Sequence, residues 1–200
     1  DEVRRLWVPR LAKGEVLGAW ALTEPEAGSD SGATKTTAVR GDKGWVLNGT
    51  KNFITHASVG EVAVVMARTK PGSDHHGISA FVVPLKAPGV SVGKHEDKIG
   101  MRVSDTASLI LEDCRVGGEA LLGGEGDGFI QAMEILDGGR ISIAALAVGI
   151  GRGALDAATA YAKERRQFGK PIAAFQAVRF KLADRATEIQ AARLLTEAAA

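Results

Sequence analysis

The hydrophobic period changes near Gly124, and this change constrains the fold more than any other feature of the sequence. Before it, β-branched residues recur in short runs separated by turn signals, a pattern typical of a small antiparallel barrel or sandwich. After it, apolar residues recur at helical spacing in two stretches. The sequence therefore predicts an α+β chain in which a small antiparallel β-barrel or sandwich precedes an antiparallel helical hairpin.

The predicted elements follow these runs. A basic amphipathic stretch ending near Leu11 indicates the last turns of a helix, and Gly-Asp-Lys-Gly at residues 41–44 is the turn of a hairpin. Because neither end of the sequence carries the usual helix start or stop signals, we expect a piece of a longer protein. The predicted strands are residues 35–40, 45–49, 51–55, 61–69, 78–83, 90–92 and 108–111; the predicted helices run from Asp127 to Tyr161 and from Phe175 to Ile189, with a basic connection at 165–171.

Composition excludes several classes of function. The 200 residues carry 25 Lys and Arg against 24 Asp and Glu, a formal net charge of +1. This balance gives no general attraction to nucleic acid or to an anionic membrane. The single cysteine, Cys114, excludes an internal disulfide. We also expect no signal peptide and no apolar run long enough to insert into a membrane.

Residues 20–33 crowd hydroxyls, small residues and carboxylates into a segment that Pro25 and Gly28 interrupt. Glycine frees the backbone to turn its N–H groups toward an anion or a ring oxygen, and Thr23 and Ser29 add hydroxyl donors. The same composition is typical of an ordinary Gly/Ser turn. The segment is therefore either a polar ligand loop at the end of a strand or a plain turn.

A second candidate lies on a predicted strand, where Phe53 and Thr55 share one face two residues apart. Such a pair can press against a flat ring ligand and hydrogen-bond its edge. The alternative is a core aromatic residue beside a strand threonine.

The predicted helical region contains cationic side chains that are candidates for binding anions. Arg140 lies in an apolar helix and needs an anionic partner, either Asp137 one turn earlier or a carboxylate from elsewhere. Arg165, Arg166 and Lys170 lie at a helix end. They either bind phosphates or simply balance the helix dipole.

Other candidates for chemistry are weaker. His75 and His76 lie in a polar loop without a spaced Cys or His partner, so we expect a solvated loop and no metal site. Glu112 and Asp113 precede Cys114 and would raise its thiol pKa, which argues against a nucleophile.

Five segments in one order resemble motifs of the acyl-CoA dehydrogenases, over essentially the whole sequence. They are ALTEPEAGSDSGA at residues 21–33, NGTKNFIT at 48–55, MRVSDT at 101–106, LDGGR at 136–140 and ERRQFGKP at 164–171. The resemblance implies an N-terminal helical domain, a middle β domain and a C-terminal four-helix domain. It assigns residues 1–19 to the end of the first, 20–124 to the second and 125–200 to the first helices of the third.

The resemblance also implies an FAD cofactor. Thr23 would bond the edge of the isoalloxazine ring and Thr55 would bond near N5, where the hydride arrives. Phe53 stands where the family usually has a tryptophan, which keeps a stacking ring but loses an indole N–H. The implied cofactor residues are Trp20, Ala21, Leu22, Thr23, Gly28, Ser29, Phe53, Ile54 and Thr55, with Arg165, Gln167, Phe168, Phe175 and Gln176 completing a site shared with a neighbouring subunit of a homotetramer.

The implied reaction is α,β-dehydrogenation of an acyl-CoA, in which a carboxylate removes the α-proton and the β-hydride passes to the flavin. The implied substrate contacts are Ser29, Asp137, Gly138, Gly139 and Arg140, the last in a supporting role. Isovaleryl and long-chain members carry the catalytic glutamate immediately before this arginine, where this sequence has Gly139. The resemblance therefore places the base beyond Ala200 and favours a short-chain or short-branched substrate.

Two alternatives remain open at this point. One is an acyl-CoA oxidase or related flavin monooxygenase of the same fold, and the other is a non-catalytic flavin- or CoA-binding module. For the dehydrogenase, the resemblance implies an electron-transferring flavoprotein as acceptor. It also implies a cytoplasmic location in a bacterium or the mitochondrial matrix in a eukaryote.

Overall fold

The computed structural model describes residues 2–200, and Asp1 lies outside the described residues. The chain divides into two compact units, one ending at Met133 and the other spanning Glu134–Ala200. The domain limits drawn from the sequence, 1–19, 20–124 and 125–200, stay predictions. The helices are α1 (Glu2–Ala12), α2 (Gly128–Glu164) and α3 (Gln176–Ala199), and the strands are β1 (Gly18–Ala21), β2 (Thr37–Gly41), β3 (Gly44–Thr55), β4 (Val62–Arg68), β5 (Ile78–Pro84), β6 (Val90–His95), β7 (Thr106–Gly117), β8 (Leu121–Leu122), β9 (Arg166–Gln167) and β10 (Lys170–Pro171).

The first unit contains a mixed eight-stranded sheet in the order β6-β7-β3-β2-β4-β5-β8, with β1 beside β4. Most neighbours are antiparallel, but β1 runs parallel to β4, and β2 meets β4 in parallel at Thr37 and Arg68. These parallel contacts arise because a long loop and a hairpin separate β1 from β4 in the chain. A mixed sheet followed by helices confirms the predicted fold class, and the parallel pairs are a departure from a purely antiparallel sheet.

The β2–β3 hairpin turns where the sequence predicts, with Gly41 opposite Gly44. The prediction of a separate strand at residues 51–55 is wrong, because β3 continues through it. Gly49 permits this continuation: its φ is +152°, and a Cβ there would lie 2.4 Å from Thr36 Oγ1. The pairing of β3 with β7 shifts register twice, between Leu47 and Gly49 and between Lys51 and Ile54.

Apolar packing covers both faces of the sheet. In the larger cluster, Trp45 meets the fully buried Phe81 edge-on, with ring centroids 5.2 Å apart. In the smaller cluster, Met66 and Ile78 pack against Phe129 at the start of α2. Because both faces of the sheet are buried at β4 and β5, the sequences of these strands are nearly continuous apolar runs.

Both long helices confirm the predicted helical period, although α2 begins at Gly128 and α3 at Gln176. The helix α2 is long and apolar enough to cross a membrane by length and composition, with a mean hydropathy of 1.5 over its most apolar window. This corrects the expectation that no apolar run reaches that length. A helix of a bundle has the same composition, so the finding assigns no membrane role.

Candidate functional site

The loop after β1 folds into a tight turn. Glu24 N–H donates to Ala27 O at 2.9 Å, and Ala27 N–H donates to Glu24 O at 3.3 Å. Pro25 lies exposed at the tip, as its lack of a donor and fixed φ favour. Ser29 follows on the exposed side, whereas Ala21 is fully buried at the entry. The segment is therefore anchored at its start and open to solvent after the turn.

A buried ion pair anchors this loop. Lys51 Nζ lies 2.8 Å from Glu24 Oε1, and the two side chains are 0% and 3% exposed. The ammonium also donates to Leu22 O at 3.1 Å. The Glu24 carboxylate in turn accepts from the N–H groups of Lys35 at 2.6 Å and Thr36 at 3.0 Å. One pair thus joins the loop, β3 and the segment before β2.

Burial and pairing act on these two groups in opposite ways. Burial lowers the pKa of Lys51 to about 8, and the neighbouring Glu24 carboxylate opposes this. Burial alone would raise the pKa of Glu24, but the Lys51 charge and the hydrogen bonds outweigh it, so this pKa lies below its ordinary value. Sequence reasoning missed the pair. The available signal was that Lys51 shares strand parity with the inward-facing Trp45 and Leu47.

The end of β3 turns its aromatic residue outward. Strict alternation would place Phe53 inside with Lys51, but the register shift between Lys51 and Ile54 reverses the parity. Ile54 is buried, Phe53 is 61% exposed and Thr55 is exposed. The core-aromatic alternative for Phe53 is therefore wrong. Phe53 also has a φ of +59°, a conformation that costs a non-glycine residue about 1–3 kcal/mol and tends to cluster at functional sites.

The loop and the strand end lie against each other. Asn52 N–H, adjacent to Phe53, donates to Thr23 O at 2.8 Å. Trp20 lies on the same loop entry, packed with the smaller apolar cluster. Its indole Nε1 is buried and has no hydrogen-bond partner among residues 2–200. A buried donor without an acceptor is costly unless a ligand supplies one.

A cavity of about 450 Å³ opens beside the second half of the loop, within the size range of small-molecule sites. Arg68 organises its wall by donating to Gly32 O at 2.8 Å, Thr34 O at 2.9 Å and Ser73 O at 2.8 Å. Sequence reasoning did not identify this arginine, because its acceptors are backbone carbonyls that no motif specifies. The lining residues are Ser29, Asp30, Ser31, Gly32, Ala33, Asp74, His75, Phe129 and Met133.

The weaker candidates fall in this unit too. Asp74, His75 and His76 bring potential metal-binding atoms within 4.8 Å of one another. Asp74 accepts from His76 N–H at 2.9 Å, and the His75 ring packs on Phe129 at 4.7 Å.

Cys114 is fully buried, and burial raises the pKa of its thiol. The cause is thus desolvation and not the neighbouring carboxylates, which are exposed.

In the second unit, the basic connection is a hairpin and not an irregular loop. Antiparallel β9 and β10 enclose Phe168 and Gly169, whose φ values of +52° and +77° suit a tight two-residue turn. Phe168 is 92% exposed and meets the ring of Phe175 at 6.0 Å between centroids. Lys170 Nζ lies 4.6 Å from the centre of the Phe175 ring. The side chains of Arg165, Gln167 and Gln176 are exposed.

The sequence left two partners open for Arg140, Asp137 or a carboxylate from elsewhere, and the structure does not pair it with Asp137. Asp137 and Arg140 are both exposed, and within residues 2–200 no ion pair joins them. Solvation of both side chains removes the need for a partner that burial would create. A Cβ at Gly138 or Gly139 would meet nothing within 4 Å, so no described neighbour requires glycine there.

Solved structures give the class of protein that this fold defines. The chain superposes on butyryl-CoA dehydrogenase from Megasphaera elsdenii with a TM-score of 0.95 and 44% identity, covering 98% of this chain and 52% of that one. The mixed sheet and the helices that follow it thus have the acyl-CoA dehydrogenase fold.

Family models give the same result more specifically. The acyl-CoA dehydrogenase middle domain matches residues 19–114 and the C-terminal domain matches residues 126–200. The chain belongs to the acyl-CoA dehydrogenase family. It is 49% identical to human mitochondrial short-chain specific acyl-CoA dehydrogenase and 51% identical to acryloyl-CoA reductase (NADH) from Anaerotignum propionicum, with all of this chain matched. It spans about half of each relative, 48% and 51% of their lengths.

Proposed function

We propose that this chain forms the flavin and acyl-CoA region of an FAD-dependent enzyme that converts a short-chain or short-branched acyl-CoA to the trans-2-enoyl-CoA. One observation carries the proposal. The loop that holds Thr23 is bonded to β3 next to the exposed Phe53 and close in sequence to the exposed Thr55, so a loop with a hydroxyl side chain adjoins an exposed aromatic ring.

The residues present fit a flat ring with polar edges. Trp20 contributes a buried indole N–H that lacks an acceptor among the described residues, and Phe53 offers an exposed face for stacking. When bound, FAD supplies the acceptor for the two electrons that leave the substrate. The residues that would hold it in this unit are Trp20, Ala21, Leu22, Thr23, Gly28, Ser29, Phe53, Ile54 and Thr55.

In the second unit, Phe168 supports a cofactor site completed between copies of the chain. A 92% exposed aromatic residue in a left-handed conformation is costly unless a partner covers it. We assign Arg165, Gln167, Phe168, Phe175 and Gln176 to the FAD of a neighbouring subunit in a homotetramer. The guanidinium of Arg165 would bind the diphosphate, for which its donor geometry is suited.

In the first unit, the cavity beside Ser29 supports acyl-CoA binding, and Ser29 is a proposed contact. In the second unit, Asp137, Gly138, Gly139 and Arg140 are proposed substrate contacts from the motif resemblance. Hydrogen bonds to the thioester carbonyl would acidify the α-carbon. Gly139 stands where some relatives have their base, so removal of the α-proton falls to a carboxylate outside residues 1–200. Electrons would leave to an electron-transferring flavoprotein, in the bacterial cytoplasm or the mitochondrial matrix.

The test is an anaerobic titration with butyryl-CoA of the purified full-length protein, and not of residues 1–200 alone, because the proposed base lies outside them. We expect the flavin absorbance to bleach as crotonyl-CoA forms, and Thr55→Val to slow bleaching by about tenfold or more because it removes a hydroxyl from the reacting edge. Thr37→Val, on β2 of the same sheet, is the matched control and should bleach at the parental rate. A flavin that stays oxidised at saturating butyryl-CoA contradicts the proposal.

The 51% identity with an acryloyl-CoA reductase supports a second candidate, reduction of a 2-enoyl-CoA. NADH-dependent loss of acryloyl-CoA catalysed by the purified protein would favour this direction. Butyryl-CoA oxidation in air with stoichiometric peroxide would instead favour an oxidase of the same fold, and flavin or CoA binding without either reaction would indicate a non-catalytic module.

A further inference from the structure

Two carbonyls of the loop after β1 accept hydrogen bonds from residues of β3. Leu22 O accepts from Lys51 Nζ at 3.1 Å, and Thr23 O accepts from Asn52 N–H at 2.8 Å. A trans peptide is planar, with its C=O and N–H on opposite sides. The Leu22–Thr23 peptide therefore directs the Thr23 N–H away from the Lys51 ammonium. No group in residues 2–200 accepts a hydrogen bond from this N–H.

The ammonium also changes the strength of that donor. A charged donor on a carbonyl polarises the whole peptide, so the N–H on its other side becomes a stronger donor. The effect is large only where water is excluded. Lys51 meets this condition because its side chain is 0% exposed and its one anionic contact, Glu24, is 3% exposed.

The position of the ammonium is itself fixed. Glu24 cannot move with Lys51, since its carboxylate also accepts from the N–H groups of Lys35 and Thr36. The Lys51 charge therefore stands at a defined distance from the Leu22 carbonyl, a requirement for a group that orients another.

We infer that Lys51 is a positioning residue for the flavin, orienting and polarising the Leu22–Thr23 peptide so that its N–H donates to the polar edge of the isoalloxazine ring. The inference rests on the proposed FAD site. It extends that site by one residue that cannot touch the ring, because Lys51 acts from the opposite side of the peptide.

The experiment separates this role from a purely structural one. Lys51→Met alone leaves the Glu24 charge buried and unpaired, so it can fail to fold. The double variant Glu24→Gln with Lys51→Met removes both charges and keeps an amide oxygen for one of the two N–H groups, of Lys35 and Thr36, that donate to separate oxygens of Glu24. Its exposed counterpart, Glu61→Gln with Lys86→Met, removes a pair at the sheet surface and serves as the control.

We expect the core double variant to melt within a few degrees of the parent but to bind FAD about tenfold or more weakly, the effect of losing a charge-assisted hydrogen bond. At saturating FAD its flavin absorption band should shift from that of the parent, whereas the surface double variant should match the parent in affinity and band position. Parental FAD affinity and spectrum in a folded core double variant would overturn the inference alone. A parent that takes up no FAD would overturn the proposed function together with it.

Discussion

The two compact units differ in how many of their residues are buried. The unit ending at Met133 encloses two apolar clusters and a buried ion pair, whereas from Glu134 to Ala200 the only buried residue among those described is Ala162. Helices α2 and α3 instead show intrahelical surface pairs, such as Arg152 with Asp156 and Arg193 with Glu197. The first unit is stabilised by its own packing, whereas α2 and α3 pair locally on their surfaces and leave apolar side chains such as Leu195 exposed.

The largest expected difference concerns truncation of apolar side chains. Phe81→Ala empties a site that is 0% exposed and should lower the free energy of unfolding by about 3–5 kcal/mol. Leu195→Ala on α3 removes a side chain that is 72% exposed and should change it by less than about 0.5 kcal/mol. Urea denaturation of the two variants measures both values. Equal losses would remove the distinction between the units.

Glycine-to-alanine substitutions should change the stability in opposite directions in the two units. Gly49→Ala forces a Cβ to within 2.4 Å of Thr36 Oγ1 at a φ of +152°, and should cost about 2–4 kcal/mol. Gly149→Ala on α2 meets nothing within 4 Å and should stabilise the helix by about 0.5–1 kcal/mol. Melting temperatures on one preparation test the sign. A destabilising Gly149→Ala would show that another backbone packs there.

The buried pair should give the first unit an unusual pH dependence. Burial lowers the pKa of Lys51 from 10.5 to about 8, so between these values the unfolded chain holds a proton that the folded chain has lost. Its contribution to the free energy of unfolding therefore rises with pH in this window, by about 1–2 kcal/mol from pH 8 to 9.5. The lowered pKa of Glu24 keeps that carboxylate ionised throughout and adds no slope here.

The matched control for this pH dependence is the variant with Glu24→Gln and Lys51→Met, which retains Cys114 and every other titrating group. Stability of the parent relative to this variant should increase from pH 8 to 9.5 in urea titrations. Parallel pH profiles for the two proteins would show that Lys51 keeps an ordinary pKa.

The sequence predicted the elements of the fold better than their long-range contacts. Alternating β-branched runs and helical spacing depend on local geometry, so the β2–β3 hairpin and both long helices could be predicted from them. The reversal of parity at Phe53 could not, because the register shift that causes it depends on pairing with β7. Nor could the continuation of β3 through Gly49, whose φ of +152° the sequence does not show.

For the site, motif resemblance predicts Thr23, Phe53 and Thr55 as cofactor residues, but it does not show which residues hold them in place. Lys51 and Glu24 lie 27 positions apart, and both residue types are normally exposed unless paired. Only the fold reveals that they meet. Conversely, spacing made Asp137 one of two candidate partners for Arg140, beside a carboxylate from elsewhere, and both side chains are exposed.

The most direct test of the central claim is the FAD content of the purified protein, measured by absorbance after release of the cofactor. If the loop holding Thr23 and the strand end at Phe53 and Thr55 form one ring site, the protein should be yellow and carry close to one FAD per chain. A colourless protein that takes up no FAD from a stoichiometric addition would contradict the account.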